Sequence, residues 1–163
     1  MLLLYHYNCY MKQLFTSARR KYLPLFLLIP AFLMFFNMPG RSAAKTPSHI
    51  VFIEGSWDEA LKQAKTQNKY IFVDAYASWC GPCKMLKTIT FNDAKAAEFY
   101  NANFINVSID MEKGQGPDLA AQWGIQAYPT LIIFNAAGKP VLGTVGYISA
   151  TDLLRFGKQA LAK

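Results

Sequence analysis

Apolar positions fall into short, separated blocks along this chain, and the spacing inside each block predicts its conformation. Tyr70–Tyr76 is almost continuously apolar and dense in β-branched and aromatic residues, which predicts a central strand covered on both faces. Phe104–Ile109, Thr130–Phe134 and Val141–Val145 read as further strands, and Ile50–Ile53 as a short first one. The span Asn135–Pro140, with Gly138 inside it, joins two of these as a hairpin.

Other blocks carry helical spacing. Ser56 with Glu59 three places on is a capping box, and Trp57, Ala60, Leu61 and Ala64 then recur at helical intervals up to Gln67. A second helix is predicted from Cys80 to about Thr90, and a third from beyond Asn92 to about Tyr100. Pro117–Trp123 is a short helix with proline in its first turn and Gly124 just past its end. Ser149 and Asp152 open a last helix carrying Leu153, Leu154, Phe156 and Leu161. Strands alternating with helices, followed by an antiparallel hairpin, predict an α/β fold: a central mixed sheet with helices on both faces.

Two places break the pattern. Asp74 is a carboxylate inside the most apolar strand, and residues 1–44 follow none of these periodicities. In that leader, residues 12–21 hold four cations, Tyr22–Phe36 is uncharged, and Ser42-Ala43-Ala44 gives small residues at the spacing of a cleavage site. The order is that of a secretory signal peptide cut after Ala44, with Met11 as a plausible start. An uncleaved membrane anchor over residues 22–36 is the alternative, although the run is short of the ~20 apolar residues a spanning helix needs and contains Pro24 and Pro30. Either way, cations before the apolar run leave residues 45–163 on the exported side, periplasmic or its equivalent.

Charge follows the same division. The chain carries +7, of which the leader supplies five cations and no acid, leaving +2 for residues 45–163. A nearly neutral body with scattered lysines has no basic stripe for nucleic acid.

Cys9 falls before the predicted cut, so the exported domain keeps Cys80 and Cys83. A disulfide stabilises chiefly by closing a long loop, whereas these two enclose only Gly81 and Pro82. Their use is therefore expected to be chemical. A zinc site would need a second ligand pair that the sequence does not offer, and no bound cofactor is implied. His49 reads as a solvated linker residue, Met85 and Leu86 as helix packing, and Tyr76 as core or rim.

Trp79-Cys80-Gly81-Pro82-Cys83-Lys84, with Asp74 six positions before the first cysteine and Tyr128-Pro129-Thr130 downstream, resembles the thioredoxin family over roughly residues 50–163. Ser56-Trp57-Asp58-Glu59-Ala60-Leu61 and Thr90-Phe91-Asn92-Asp93 are similar to exported members and to the soluble C-terminal domain of the transmembrane disulfide-interchange reductase. The resemblance implies the thioredoxin fold and thiol–disulfide oxidoreductase activity. One position departs from cytosolic members: aligned on Asp110, a lysine common near the buried aspartate is Asn106 here.

Exchange needs a thiolate, and a free cysteine, with a pKa of about 8.5, is mostly protonated at neutral pH. Cys80 at a helix start would meet unsatisfied N–H groups and the positive end of the dipole, which favour its anion, so it is assigned as the attacking thiol. Cys83, one turn on, is assigned as the resolving thiol. Pro82 suits the first turn and Gly81 admits a substrate backbone. Burial should raise the Asp74 pKa and let it take the proton from Cys83; a carboxylate satisfied by backbone or water is the alternative. The resemblance makes Pro129 a cis-proline facing the cysteines, with the Tyr128 backbone offered to a bound peptide; an ordinary trans loop proline is the alternative. Trp79 is expected to cover the site; an apolar ledge for packing is the alternative.

The expected partners are disulfide-containing exported proteins and, upstream, a transmembrane thiol electron donor, with membrane contact only through an uncleaved leader. The Gly-Pro dipeptide favours a reductant. An oxidase or isomerase on the same fold, and a peptide-binding module that merely retains the pair, are the rival readings.

Overall fold

The computed structural model describes residues 47–163. The predicted leader, with its cleavage site, its anchor alternative and Cys9, lies outside the described residues. Among those described, no helix is long and apolar enough to cross a membrane.

The chain order is β1 (Ile53–Glu54), α1 (Trp57–Gln67), β2 (Tyr70–Tyr76), α2 (Gly81–Thr88), a 3-10 turn (Thr90–Asn92), α3 (Ala94–Asn103), β3 (Phe104–Asp110), α4 (Gly116–Trp123), β4 (Thr130–Phe134), β5 (Pro140–Val145) and α5 (Ala150–Leu161). The sheet runs β1-β3-β2-β4-β5. β2 lies parallel to β3 and antiparallel to β4, so the sheet is mixed and β2 is central.

Alternation along β2 divides the core in two. Ile71 and Val73 point to Trp57, Ala60 and Ala64 of α1 and Leu119 of α4. Phe72 points the other way, to Leu86 of α2, Tyr100 of α3 and Leu153 of α5. Asp74 shares the face of Phe72 and is 0% exposed.

The ends of elements follow local chemistry. Ser56 Oγ caps α1 by accepting the Glu59 N–H at 3.3 Å, while the Glu59 carboxylate accepts from Gln63 Nε2 at 2.9 Å; the Ser56 half of the capping box is in place. Helix α2 stops at Thr88, short of the predicted Thr90, where Thr88 Oγ1 donates to Lys84 O and Asn92 Nδ2 donates to Thr88 O. Ile50–Phe52, predicted as strand, makes other bonds: the Ile50 N–H donates to Phe91 O and the Val51 N–H to Asn101 Oδ1, and ladder pairing to β3 begins only at Ile53. In α5, Gly157 is required by close approach, since a Cβ there would lie 2.7 Å from the Phe99 ring and 2.9 Å from Tyr100 Oη.

Candidate active site

Strand β2 ends at Tyr76, and the chain turns through Ala77-Ser78-Trp79 into α2. Pro82, lacking an N–H, sits in the first turn of α2, where that donor would have no helical partner. Cys80 is the N-cap, with extended backbone, and its Sγ accepts the Cys83 N–H at 3.2 Å. Cys80 and Cys83 are joined as a disulfide with Cα atoms 5.3 Å apart, and both are buried at 3% and 2% exposure. Gly81 and Pro82 remain exposed beside them. The first turn of α2 holds no acidic residue, so nothing within it opposes a negative sulfur at the cap.

Asp74 lies in the layer beneath α2. Register places it opposite Ser108 on β3 and Leu131 on β4. The Ser108 hydroxyl donates to Asp74 Oδ2 at 2.9 Å, and Oδ1 has no partner among the described residues. Burial pushes the Asp74 carboxyl up to about 6; the Ser108 hydrogen bond and the Lys87 ammonium pull it down, and Glu54 adds a small push upward. Asn106 turns away from this site, its Nδ2 donating to Val51 O and Asn101 Oδ1.

Trp79 is 65% exposed, and its indole N–H donates to Glu112 Oε2 at 2.8 Å. The ring stands edge-on to Tyr128, with centroids 6.1 Å apart. Tyr128 and Tyr76 pack against the small cluster formed by Ala77, Cys80 and Cys83. The Tyr128–Pro129 peptide is cis, and Pro129 O accepts the Gly146 N–H at 2.7 Å. Partial burial, then Glu112 and Asp110, raise the Tyr128 pKa, so its phenol stays neutral.

The structure thus brings Asp74, Cys80, Cys83 and Tyr128 to one end of the sheet, with Trp79, Gly81 and Pro82 at the surface above. Met85 differs from the packing residue read from the sequence: it is 46% exposed, while Leu86 beside it is fully buried. Helix α2 turns Leu86 inward and leaves Pro82, Met85 and Ile89 on the outer side. Ser108, Glu112 and Lys87 were not singled out from the sequence. Ser108 could have been found from strand register, because it lies two residues before Asp110 on the strand paired with β2. Glu112 is 33 positions from Trp79 and left no local signal.

Among the described residues no three His, Cys, Asp or Glu side chains converge as a metal site, and the redox-active group is the disulfide itself. A cysteine pair at a helix start, in a mixed sheet of this order, defines a thiol–disulfide exchange protein. The chain belongs to the thioredoxin-like domain family, whose model matches residues 57–161, well over half of the sequence. It is 34% identical over 90 residues to a thioredoxin of Alicyclobacillus acidocaldarius, covering 55% of this chain and 80% of that protein. It is 30% identical over 125 residues to the thiol:disulfide interchange protein DsbD of Campylobacter jejuni, a match that covers 76% of this chain but only 22% of that relative. Its fold superposes on the solution structure of a proposed disulphide-isomerase from Bacteroides thetaiotaomicron with a TM-score of 0.62 and 42% identity, covering 69% of this chain and 93% of that one. The protein is a thioredoxin-family thiol–disulfide oxidoreductase.

Proposed function

We propose that the protein is exported and reduces disulfides of envelope proteins through the Cys80/Cys83 dithiol. The Cys80 thiolate attacks a substrate disulfide, forming a Cys80–substrate bond and releasing one substrate thiolate. Cys83 then passes its thiol proton to Asp74 and attacks Cys80 Sγ. The bond to substrate breaks, the second substrate thiolate leaves, and the Cys80–Cys83 disulfide closes. Two electrons have moved to the substrate, and a membrane dithiol donor returns them by opening the disulfide while becoming oxidised itself.

The observation that carries this reading is the Gly81-Pro82 pair exposed between a capping Cys80 and a buried Cys83, the dipeptide of reducing members of the family. Trp79, Tyr128 and Pro129 would flank a bound peptide, and the charge and hydropathy order of residues 1–44 supports export. The likeness to a proposed disulphide-isomerase favours a second reading, isomerisation on the same fold.

The reduction potential of the Cys80/Cys83 couple separates the two. Reducing thioredoxin lies at about −270 mV, and protein disulfide isomerase at about −180 mV. A value of about −250 mV or lower supports the reductase, and one near −150 mV would make the protein an oxidant or isomerase. Export is checked by fractionating cells and sequencing the N-terminus of the mature chain, expected to be Lys45.

A further inference from the structure

Asp74 is buried beneath α2 with one oxygen bonded to Ser108 and the other unpartnered. A carboxyl so placed tends to keep its proton, and a protonated Asp74 has nowhere to put another. Something must oppose burial, and the groups around Asp74 are few. Across β3, the Ser108 hydroxyl donates to the carboxyl and favours its ionised form without adding charge, and Asn106 turns instead to Val51 O and Asn101 Oδ1. Across β4, Leu131 is apolar. Glu54 of β1 carries charge of the same sign. On α2, Cys83 is uncharged in the disulfide, which leaves Lys87 as the positive charge that joins the Ser108 hydrogen bond in opposing burial.

Lys87 is held in place. It lies four residues after Cys83, one turn further along the same side of α2. Its Nζ sits 3.5 Å from the centre of the Tyr76 ring. Tyr76 is two residues beyond Asp74 on β2, so ring and carboxyl project from the same face. An aromatic face attracts an ammonium and limits where a flexible lysine goes, and a half-buried cation is screened less than a free one.

We propose that Lys87 is a positioning residue, pinned by Tyr76, whose ammonium holds the Asp74 carboxyl in the ionised form that can accept the Cys83 proton. The proposal rests on the reading of Asp74 as that acceptor. Helix α2 then carries the attacking thiol, the resolving thiol and the cation that readies the base for the second. In this role Lys87 acts through Asp74.

The test uses Lys87→Gln and Lys87→Arg in the full chain. Asp74 is titrated by carbon NMR with labelled aspartate in the oxidised protein, where neither cysteine titrates. Reduction of a fluorogenic peptide disulfide is followed against pH. In Lys87→Gln the Asp74 midpoint should move to higher pH, and turnover at pH 6 should fall by roughly three- to tenfold, with little change at pH 8. Lys87→Arg should restore both. An unmoved Asp74 midpoint in Lys87→Gln overturns the proposal, as does an arginine variant as altered as the glutamine one, which would make Lys87 a packing residue for Tyr76. A shifted midpoint with an unshifted rate profile supports the Lys87–Asp74 link and removes Asp74 from the proton step instead.

Discussion

Helices α2 and α5 begin on nearly the same geometry with different atoms. Each N-cap residue, Cys80 and Ser149, has φ −71° and an extended ψ, and each side chain accepts the N–H three residues on at 3.2 Å. At α5 the Ser149 hydroxyl also donates to Asp152 Oδ2 at 2.7 Å, and Arg155 pairs with that carboxylate at 2.9 Å. At α2 the cap is a sulfur, a weak acceptor, and no acid follows it. An oxygen at this position fastens a helix. A sulfur leaves the helix's N–H groups underused until the sulfur becomes an anion, and then they stabilise it. The same cap position serves stability in one helix and reactivity in the other.

The sharpest way to break this comparison is to place the α5 atom on α2. Cys80→Ser should abolish turnover while α2 keeps its cap, with unfolding stability within about 1 kcal/mol of the reduced parent; activity assay and denaturant unfolding check both halves. Next in size is the buried acid. Burial pushes the Asp74 carboxyl up to about 6 from its ordinary value of 3.8, so between those values the folded state binds more protons and stability falls as pH rises. Removing that ionisation with Asp74→Asn should raise stability above pH 7 by up to about 3 kcal/mol and flatten the decline between pH 4 and 6, while slowing substrate release. A variant that loses stability at pH 8 would mean that the ionised carboxylate is fully compensated.

Two smaller changes test α5, whose role is packing. Alanine is ordinarily favoured over glycine in a helix by about 1 kcal/mol, yet at Gly157 the Cβ would meet Phe99 and Tyr100, whose hydroxyl donates to Leu153 O at 2.8 Å. The clash should win, and Gly157→Ala should cost about 2 kcal/mol in denaturant unfolding. Ser149→Ala should cost about 1 kcal/mol and leave turnover unchanged, since that cap lies outside the chemistry. A loss of turnover in Ser149→Ala would undo the division between the two helices.

Much of the frame was legible because single stretches declare themselves. Tyr70–Tyr76 is apolar on both faces because β2 is central, and its one polar residue, Asp74, stood out for that reason. The edge was harder. Ile50–Phe52 has the composition of a strand, but the side chain of Asn101, fifty residues away, takes the backbone donor of Val51. The surroundings of Asp74 were illegible for a related reason. In Phe104–Asp110 a serine reads as any polar strand position, and only the register of β3 on β2 sets Ser108 against the carboxyl. Lys87 carries no sign of a partner in the sequence, and only the structure shows the Tyr76 ring beneath it. Pairings that depend on a third element leave no periodic trace.

The two cysteines are three residues apart at the start of one helix, so the bond between them bridges no distant parts of the fold. Neither cysteine belongs to the two large cores on either side of the sheet, so opening the bond breaks no link between them. The difference between the charged and discharged carrier is therefore concentrated at Cys80 and Cys83. A partner meets that difference as chemistry, finding either a nucleophile or an electrophile at the same spot. Traffic through such a carrier is steered by supply: whichever neighbours hold spare electrons load it, and whichever lack them empty it.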